Sequence, residues 1–188
     1  WEVLVVPVAI DGVRVESLHT LALDGITVRD KAGEELLRAA HAEVELSLFA
    51  AFSSSPAAAI SQVTVTEPVL YLHRREDGSW NAADLVQEEK SESDFRGKVR
   101  VQGGAATIAL QGEEIALTDI EAELDFASVA AVAVEGTGKS KGAPLAVTGE
   151  VSAARQSLEI KAEAIEAMDY QAFLPAGTLP AEIEPQAL

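Results

Sequence analysis

The chain has no cysteine, one methionine, a single asparagine (Asn81) and aromatic residues at only 5%. Without cysteine there is no disulfide framework and no thiolate chemistry, so the fold rests on its core alone, and 188 residues are enough to bury one. Zero cysteine suits an extracytoplasmic protein that avoids stray oxidation and suits many cytoplasmic ones equally. Positive charge is scarce too: 14 Lys+Arg stand against 31 Asp+Glu, a formal net charge of −17. Such a surface repels phosphate backbones and anionic head groups, which argues against nucleic-acid partners and against adhesion through a basic patch. Large apolar side chains are also in short supply. Alanine accounts for 33 residues, while Leu, Ile, Val and Phe together make 52, about 28% of the chain, above the roughly 20% below which a highly charged chain stays disordered. The chain is expected to fold around small side chains.

Long apolar runs are absent near the start. The longest, Val3 to Ile10 with Pro7 inside it, is far short of the roughly 18 residues that span a bilayer. The chain opens at Trp1 without an initiator Met or a basic leader and stops at Leu188 after Pro180 and Pro185, as expected of a piece of a longer protein.

Catalytic and metal-binding patterns are missing as well. The three histidines, His19, His41 and His73, sit in strand-like settings without metal-ligand spacing, and neither HExxH nor GxSxG occurs. No catalytic residue, metal ligand or cofactor is assigned. Gly136-Thr137-Gly138-Lys139-Ser140 resembles the end of a phosphate-binding loop, but that motif needs Gly at position 133, which is Ala, and a helix afterwards, which Gly142 and Pro144 would stop. A polar hairpin loop is the expectation there, and no nucleotide.

What is present is period-2 alternation. Val44, Leu46 and Leu48 alternate with Glu43, Glu45 and Ser47, which puts three apolar side chains on one face of a strand. The same alternation marks Val13 and Val15, Val63 and Val65, Ile108 and Leu110, Val132 and Val134, Leu145 and Val147, and Leu158 and Ile160. Within 114–126 the apolar set is Ile115 and Leu117, then Ile120, Ala122, Leu124 and Phe126, so parity flips between Thr118 and Asp119, which predicts a bulge or tight turn. Gly-containing breakers at short intervals predict an antiparallel meander rather than a parallel sheet. Helix is expected only in short pieces: 34–40, which reads equally as strand, 48–54, 81–86 with Asn81 as N-cap, and a turn at 169–173. The charged stretch 87–94 reads as a linker between strand-rich modules 1–86 and 95–188, the second continuing the sheet of the first.

Residues 60–86, ISQVTVTEPVLYLHRREDGSWNAADLV, read as a strand, a break at Pro68, an apolar strand, a turn at Glu76-Asp77-Gly78 and a short helix pinned by Trp80 and Leu85. With the upstream run from Leu23 through Asp30, Gly33 and Glu35-Leu36-Leu37 to Leu48, this unit resembles the N-terminal repeat module of the AsmA-like superfamily of bacterial envelope proteins, to which TamB belongs. Its signature residues are Pro68, Asp77, Gly78, Asn81 and Leu85.

The resemblance implies a mainly β fold, an elongated twisted antiparallel sheet forming a half-open groove with a few short helices. It further implies a longer parent protein, anchored in the inner membrane by a segment outside this chain and lying in the periplasm. The function it implies is intermembrane phospholipid transport in outer-membrane biogenesis, with acyl chains and an outer-membrane assembly protein of the TamA type as partners. The lipid-facing candidates are then Val44, Leu46, Leu48, Val63, Val65, Leu110, Leu124, Phe126, Leu158 and Ile160. The competing expectation is a structural or interaction β-sandwich or solenoid domain whose apolar faces close on each other without conducting lipid. Strand faces alone allow either, since burial gains roughly 25 cal/mol per Å² whatever the cover.

Overall fold

A computed structural model of the chain describes residues 6–47, 56–75, 77–82, 95–110, 113–126, 131–152 and 156–162. Its strands are β1 (Val8–Ser17), β2 (Thr20–Arg29), β3 (Glu35–Leu46), β4 (Ile60–Thr66), β5 (Val69–His73), β6 (Lys98–Leu110), β7 (Glu113–Asp125), β8 (Ala131–Ser140), β9 (Ala143–Ser152) and β10 (Gln156–Ala162), with a 3-10 turn at Pro56–Ala59 before β4. All ten join one sheet in the order β1-β2-β3-β4-β6-β7-β8-β9-β10, while β5 pairs with β3 and β6 beyond the end of β4. The sheet does not close: β1 and β10 are its two edges. The fold is mainly β, as the alternation led one to expect.

The expected meander needs one correction. Nearly every pairing is antiparallel, but β4 and β5 both run parallel to β6, with Val63 opposite Val99 and Leu72 opposite Ile108. A parallel neighbour requires a return connection rather than a hairpin, and the chain between Ala82 and Phe95 supplies its length. Turn residues at hairpins are easy to see in a sequence, whereas a long polar connection says nothing about direction. Segment 34–40 takes the strand alternative, as the start of β3. The helices expected at 48–54 and 169–173, the linker 87–94 and most of 81–86 lie outside the described residues.

Lys141 and Gly142, with φ of 49° and 84°, make the two-residue turn between β8 and β9. Positive φ at both central positions matches the strand twist of a tight hairpin. The Gly136–Ser140 segment is therefore strand running into a hairpin, with no helix N-terminus behind it.

A second set of left-handed residues crosses the sheet itself. Gly25, Glu67, Gly103 and Asp119 have φ of 62°, 49°, 65° and 51°, and they fall on β2, between β4 and β5, on β6 and on β7. The ladder shifts register at this line, between Val101 and Ala106 on β6 and between Thr118 and Glu121 on β7. The parity flip read at Thr118-Asp119 is thus a bulge. The same flip occurs on the neighbours: Leu21 and Leu23 give way to Ile26 and Val28, and Val63 and Val65 to Leu70 and Leu72. On β6 and β7 the bulge resets side-chain alternation and increases local twist; from β1 to β5 the apolar positions change parity at the same transverse line while the register runs through without a shift.

Candidate functional site

On one side of that line the register brings apolar residues from nine strands into a continuous row: Val15, Leu21, Val44, Val63, Val99, Leu124, Val134, Gly149 and Leu158. The next row on the same face is Val13, Leu23, Ala42, Val65, Val101, Ala122, Gly136, Val147 and Ile160. Successive side chains point to opposite faces, so the row between these two lies on the other face. It reads Arg14, Ala22, Glu43, Thr64, Arg100, Glu123, Glu135, Thr148 and Glu159. One face is apolar from edge to edge and the other is charged.

Exposure on the apolar face falls from the edges toward β3. Val15 and Val13 are 76% and 61% exposed and Ile160 66%, whereas Val44 is at 9% and Ala42 at 2%. Val63, Val65, Val99, Val101, Leu124 and Val134 are half-buried. Every element pair in substantial contact is a pair of hydrogen-bonded strands, apart from β4 against the 3-10 turn. Among the described residues no second sheet lies over the apolar rows.

Several of the lipid-facing candidates from the sequence meet here. Val44, Val63 and Leu124 share one row with the Leu158 position, and Val65 and Ile160 share the next. Leu46 continues the Val44 face of β3 after a bulge, opposite Ile60. Phe126 follows β7 and packs its ring on Phe95, centroids 5.1 Å apart and tilted by 59°. Leu110 lies apart from the two rows, beyond the transverse line at the end of β6; the side chains of Leu110 and Leu158, and all of Leu48 and Leu85, fall outside the described residues. Leu21, Leu23, Val99 and Val101 complete the rows and were not singled out, although Val99 and Val101 flank Arg100 in plain alternation.

The signature residues build the far end. Pro68 is buried where β4 hands over to β5, and its carbonyl accepts from Ala105 N at 2.8 Å. Asp77 accepts from Ser79 N and Ser79 Oγ at 2.9 and 2.7 Å, which holds its carboxyl below the usual range, and Gly78 takes φ 84°. The residues that Asn81 was expected to cap lie outside the described ones, and its side chain has a further role. Its side-chain oxygen accepts from His73 N at 3.0 Å and its amide donates to Tyr71 O at 2.8 Å, fully buried. β3 pairs with β5 only at Leu37 and Arg38, and beyond that point the Asn81 amide takes up β5 backbone groups that would otherwise be orphaned. A primary amide presents a donor and an acceptor side by side, as a peptide does.

The charged face is organised by ion pairs. Glu123 sits between Lys98 and Arg100, which depress its carboxyl in that order. Asp24 accepts from Arg14 Nε at 2.9 Å and contacts His41 Nδ1 at 3.0 Å; both lower Asp24, while Asp24 raises His41. Such exposed pairs are screened by solvent, so they keep the face wet more than they hold the fold. Among the described residues no group of three or more His, Asp and Glu is placed to hold a metal, and no helix is long and apolar enough to cross a membrane.

No protein-family model matches the chain, and no curated protein matches its sequence. The geometry therefore stands alone: the described residues form one sheet that does not close, with one largely apolar and one largely charged face.

Proposed function

We propose that this chain is a segment of a bridge-like intermembrane phospholipid transport protein of the AsmA-like type, whose apolar sheet face carries acyl chains. The observation that supports it is the unbroken apolar row from Val15 to the Leu158 position, facing away from a row that is polar at every strand but β2, where it holds Ala22. Each methylene moved from water onto such a surface gains about 0.8 kcal/mol. An acyl chain supplies many methylenes, so the apolar face is where binding energy resides. Small residues in the rows, Ala42, Ala122, Gly136 and Gly149, leave space beside the larger Val and Leu side chains. The acidic face opposes stacking of one sheet on another.

On this reading the chain performs no reaction. It works in the periplasm as part of a longer, inner-membrane-anchored protein, with phospholipid as cargo and an outer-membrane assembly protein of the TamA type as a partner. Extraction of the purified chain followed by lipid mass spectrometry tests the cargo: co-purifying phospholipid that disappears in a Val63→Asp, Leu124→Asp double variant supports it. A chain that neither retains nor takes up phospholipid contradicts it.

A further inference from the structure

The two edges of the open sheet fit each other. Of the eight pairings along the path from β1 to β10, seven are antiparallel and one, β4 with β6, is parallel. An odd number of reversals leaves β1 and β10 running in opposite directions. A second copy set beside the first, in the same orientation, therefore brings its β1 antiparallel to β10, with the apolar faces of both sheets on the same side.

The free backbone groups of the two edges also fall at matching positions. In an antiparallel ladder, alternate residues turn both N–H and C=O toward one neighbouring strand, and the residues between them turn theirs toward the other. Leu46 N donates to His19 O at 2.8 Å, so Leu21 and Leu23 bond toward β3 and Ala22 bonds toward β1, opposite Arg14. Val13 and Val15, on either side of Arg14, then turn their groups outward. At the other edge, the two-residue turn Lys141-Gly142 closes on Ser140 opposite Ala143. Counting by twos, Val147 and Gly149 bond toward β8, Thr148 bonds toward β10 opposite Glu159, and Leu158 and Ile160 turn their groups outward. Neither Pro nor Lys, which commonly blunt an edge, stands at these four positions. Among the described residues no strand pairs with the outer side of β1 or β10. The exposed large apolar residues, Trp80 apart, lie on β1, in its turn to β2 or on β10.

Side-chain chemistry selects one register. With Val15 opposite Leu158, Val13 meets Ile160 on the apolar face and Arg14 meets Glu159 on the charged one. A slip by two residues sets Glu159 against Glu16 and Lys161 against Arg14, or, in the other direction, Ile160 against Asp11; like charges directly opposite are unfavourable. A slip by one residue sets apolar side chains against charged ones.

We infer that copies of this chain join head to tail, β10 of one to β1 of the next, in the register that pairs Val13 with Ile160 and Arg14 with Glu159. The contact joins two different surfaces, so it propagates beyond a dimer. The apolar rows continue from copy to copy. This inference stands on the two edges and not on the lipid reading.

Proline tests it with little disturbance of the sheet, because an outward N–H has no partner among the described residues. In sedimentation experiments the mean mass of the wild-type chain is expected to rise with concentration past that of a dimer, whereas Val15→Pro and Ile160→Pro each stay monomeric. Mixed in equal amounts, the two variants keep one intact edge each and should form a 1:1 dimer and nothing larger. A monomeric wild type, single variants that associate as the wild type does, or a mixture that forms no dimer overturns the proposal. Cysteine pairs give a readout that does not depend on proline being tolerated. The chain has no cysteine of its own, and Arg14 and Glu159 would face each other as a pair without main-chain bonds between them, close enough for a disulfide. Under mild oxidation, Arg14→Cys mixed with Glu159→Cys should give the mixed dimer several-fold faster than Glu16→Cys mixed with Glu159→Cys. Equal rates, or no mixed dimer, overturn it.

Discussion

Asp30 and Arg75, 45 residues apart, meet at 3.2 Å between carboxylate Oδ2 and guanidinium Nη2, with the Asp30 side chain wholly out of solvent and that of Arg75 26% exposed. The other Asp30 oxygen accepts from Glu34 N at 2.9 Å, and the backbone of the same turn is closed by Asp30 N to Glu34 O at 2.8 Å. One carboxylate therefore ties the β2–β3 turn to the end of β5. Removing one partner of such a pair leaves a buried charge uncompensated. Arg75→Ala is expected to cost about 2–3 kcal/mol in urea unfolding, and Asp30→Asn less, because the amide oxygen still accepts from Glu34.

Asn81 gives a second, independent prediction. Asn81→Ala strands His73 N and Tyr71 O inside the sheet and is expected to cost about 2 kcal/mol, while Asn81→Asp retains only the acceptor and rescues in part. Hydrogen exchange at the His73 amide is the specific readout: it should quicken sharply in Asn81→Ala with little change at Val63. Unchanged protection of His73 would show that Asn81 does not complete the ladder.

Stability should depend on pH through Asp24 and His41. His41 is raised above its ordinary 6.5, chiefly by the bond to Asp24, so its contribution is fully present below 6.5 and fades as pH rises through the higher folded value. Asp24 is lowered from 3.8, first by Arg14 and then by His41, so its contribution is present above 3.8 and fades as pH falls through the lower folded value. The pair is therefore strongest between about 3.8 and 6.5. The difference in melting temperature between wild type and His41→Gln should be largest at pH 5 and shrink at pH 8; a difference flat across that range would contradict the pairing.

The transverse line predicts opposite responses at two of its residues. Asp119 holds φ 51° and, among the described residues, its side chain bonds only to the exposed Lys139 at 2.9 Å, so Asp119→Gly should be neutral or stabilise by up to about 1 kcal/mol. Gly25→Ala meets both an unfavourable φ of 62° and the Asp11 side chain, and is expected to destabilise by about 1–2 kcal/mol. Thermal melts of the two variants read the signs directly.

Much of the sheet was legible because alternation survives in single strands: Val44 with Glu43, or Leu158 with Glu159, declares a face without any partner. β4, Ile60–Thr66, stops just before Pro68, where the sequence places a break. What the sequence hid is non-local. Val63 sits opposite Val99 across a parallel pairing that no turn announces, and the flips at Gly25, Glu67 and Gly103 resemble ordinary loop punctuation until register aligns them. The ladder role of Asn81 was hidden for a related reason: a lone Asn before a short helical pattern reads as a cap, and only the early divergence of β3 from β5 gives its amide partners on β5.

The central proposal is that acyl chains lie on the apolar face and nowhere else on the sheet. Val63 and Thr64 are adjacent in β4, and Leu124 and Glu123 in β7, so each pair samples both faces at one place. The most direct measurement puts a photo-reactive residue at each of these four positions in turn, in the chain incubated with phospholipid vesicles, and detects lipid adducts by mass spectrometry. The expected result is acyl adducts at positions 63 and 124 and none at 64 and 123; equal labelling of the two faces, or no adducts at 63 and 124, contradicts it.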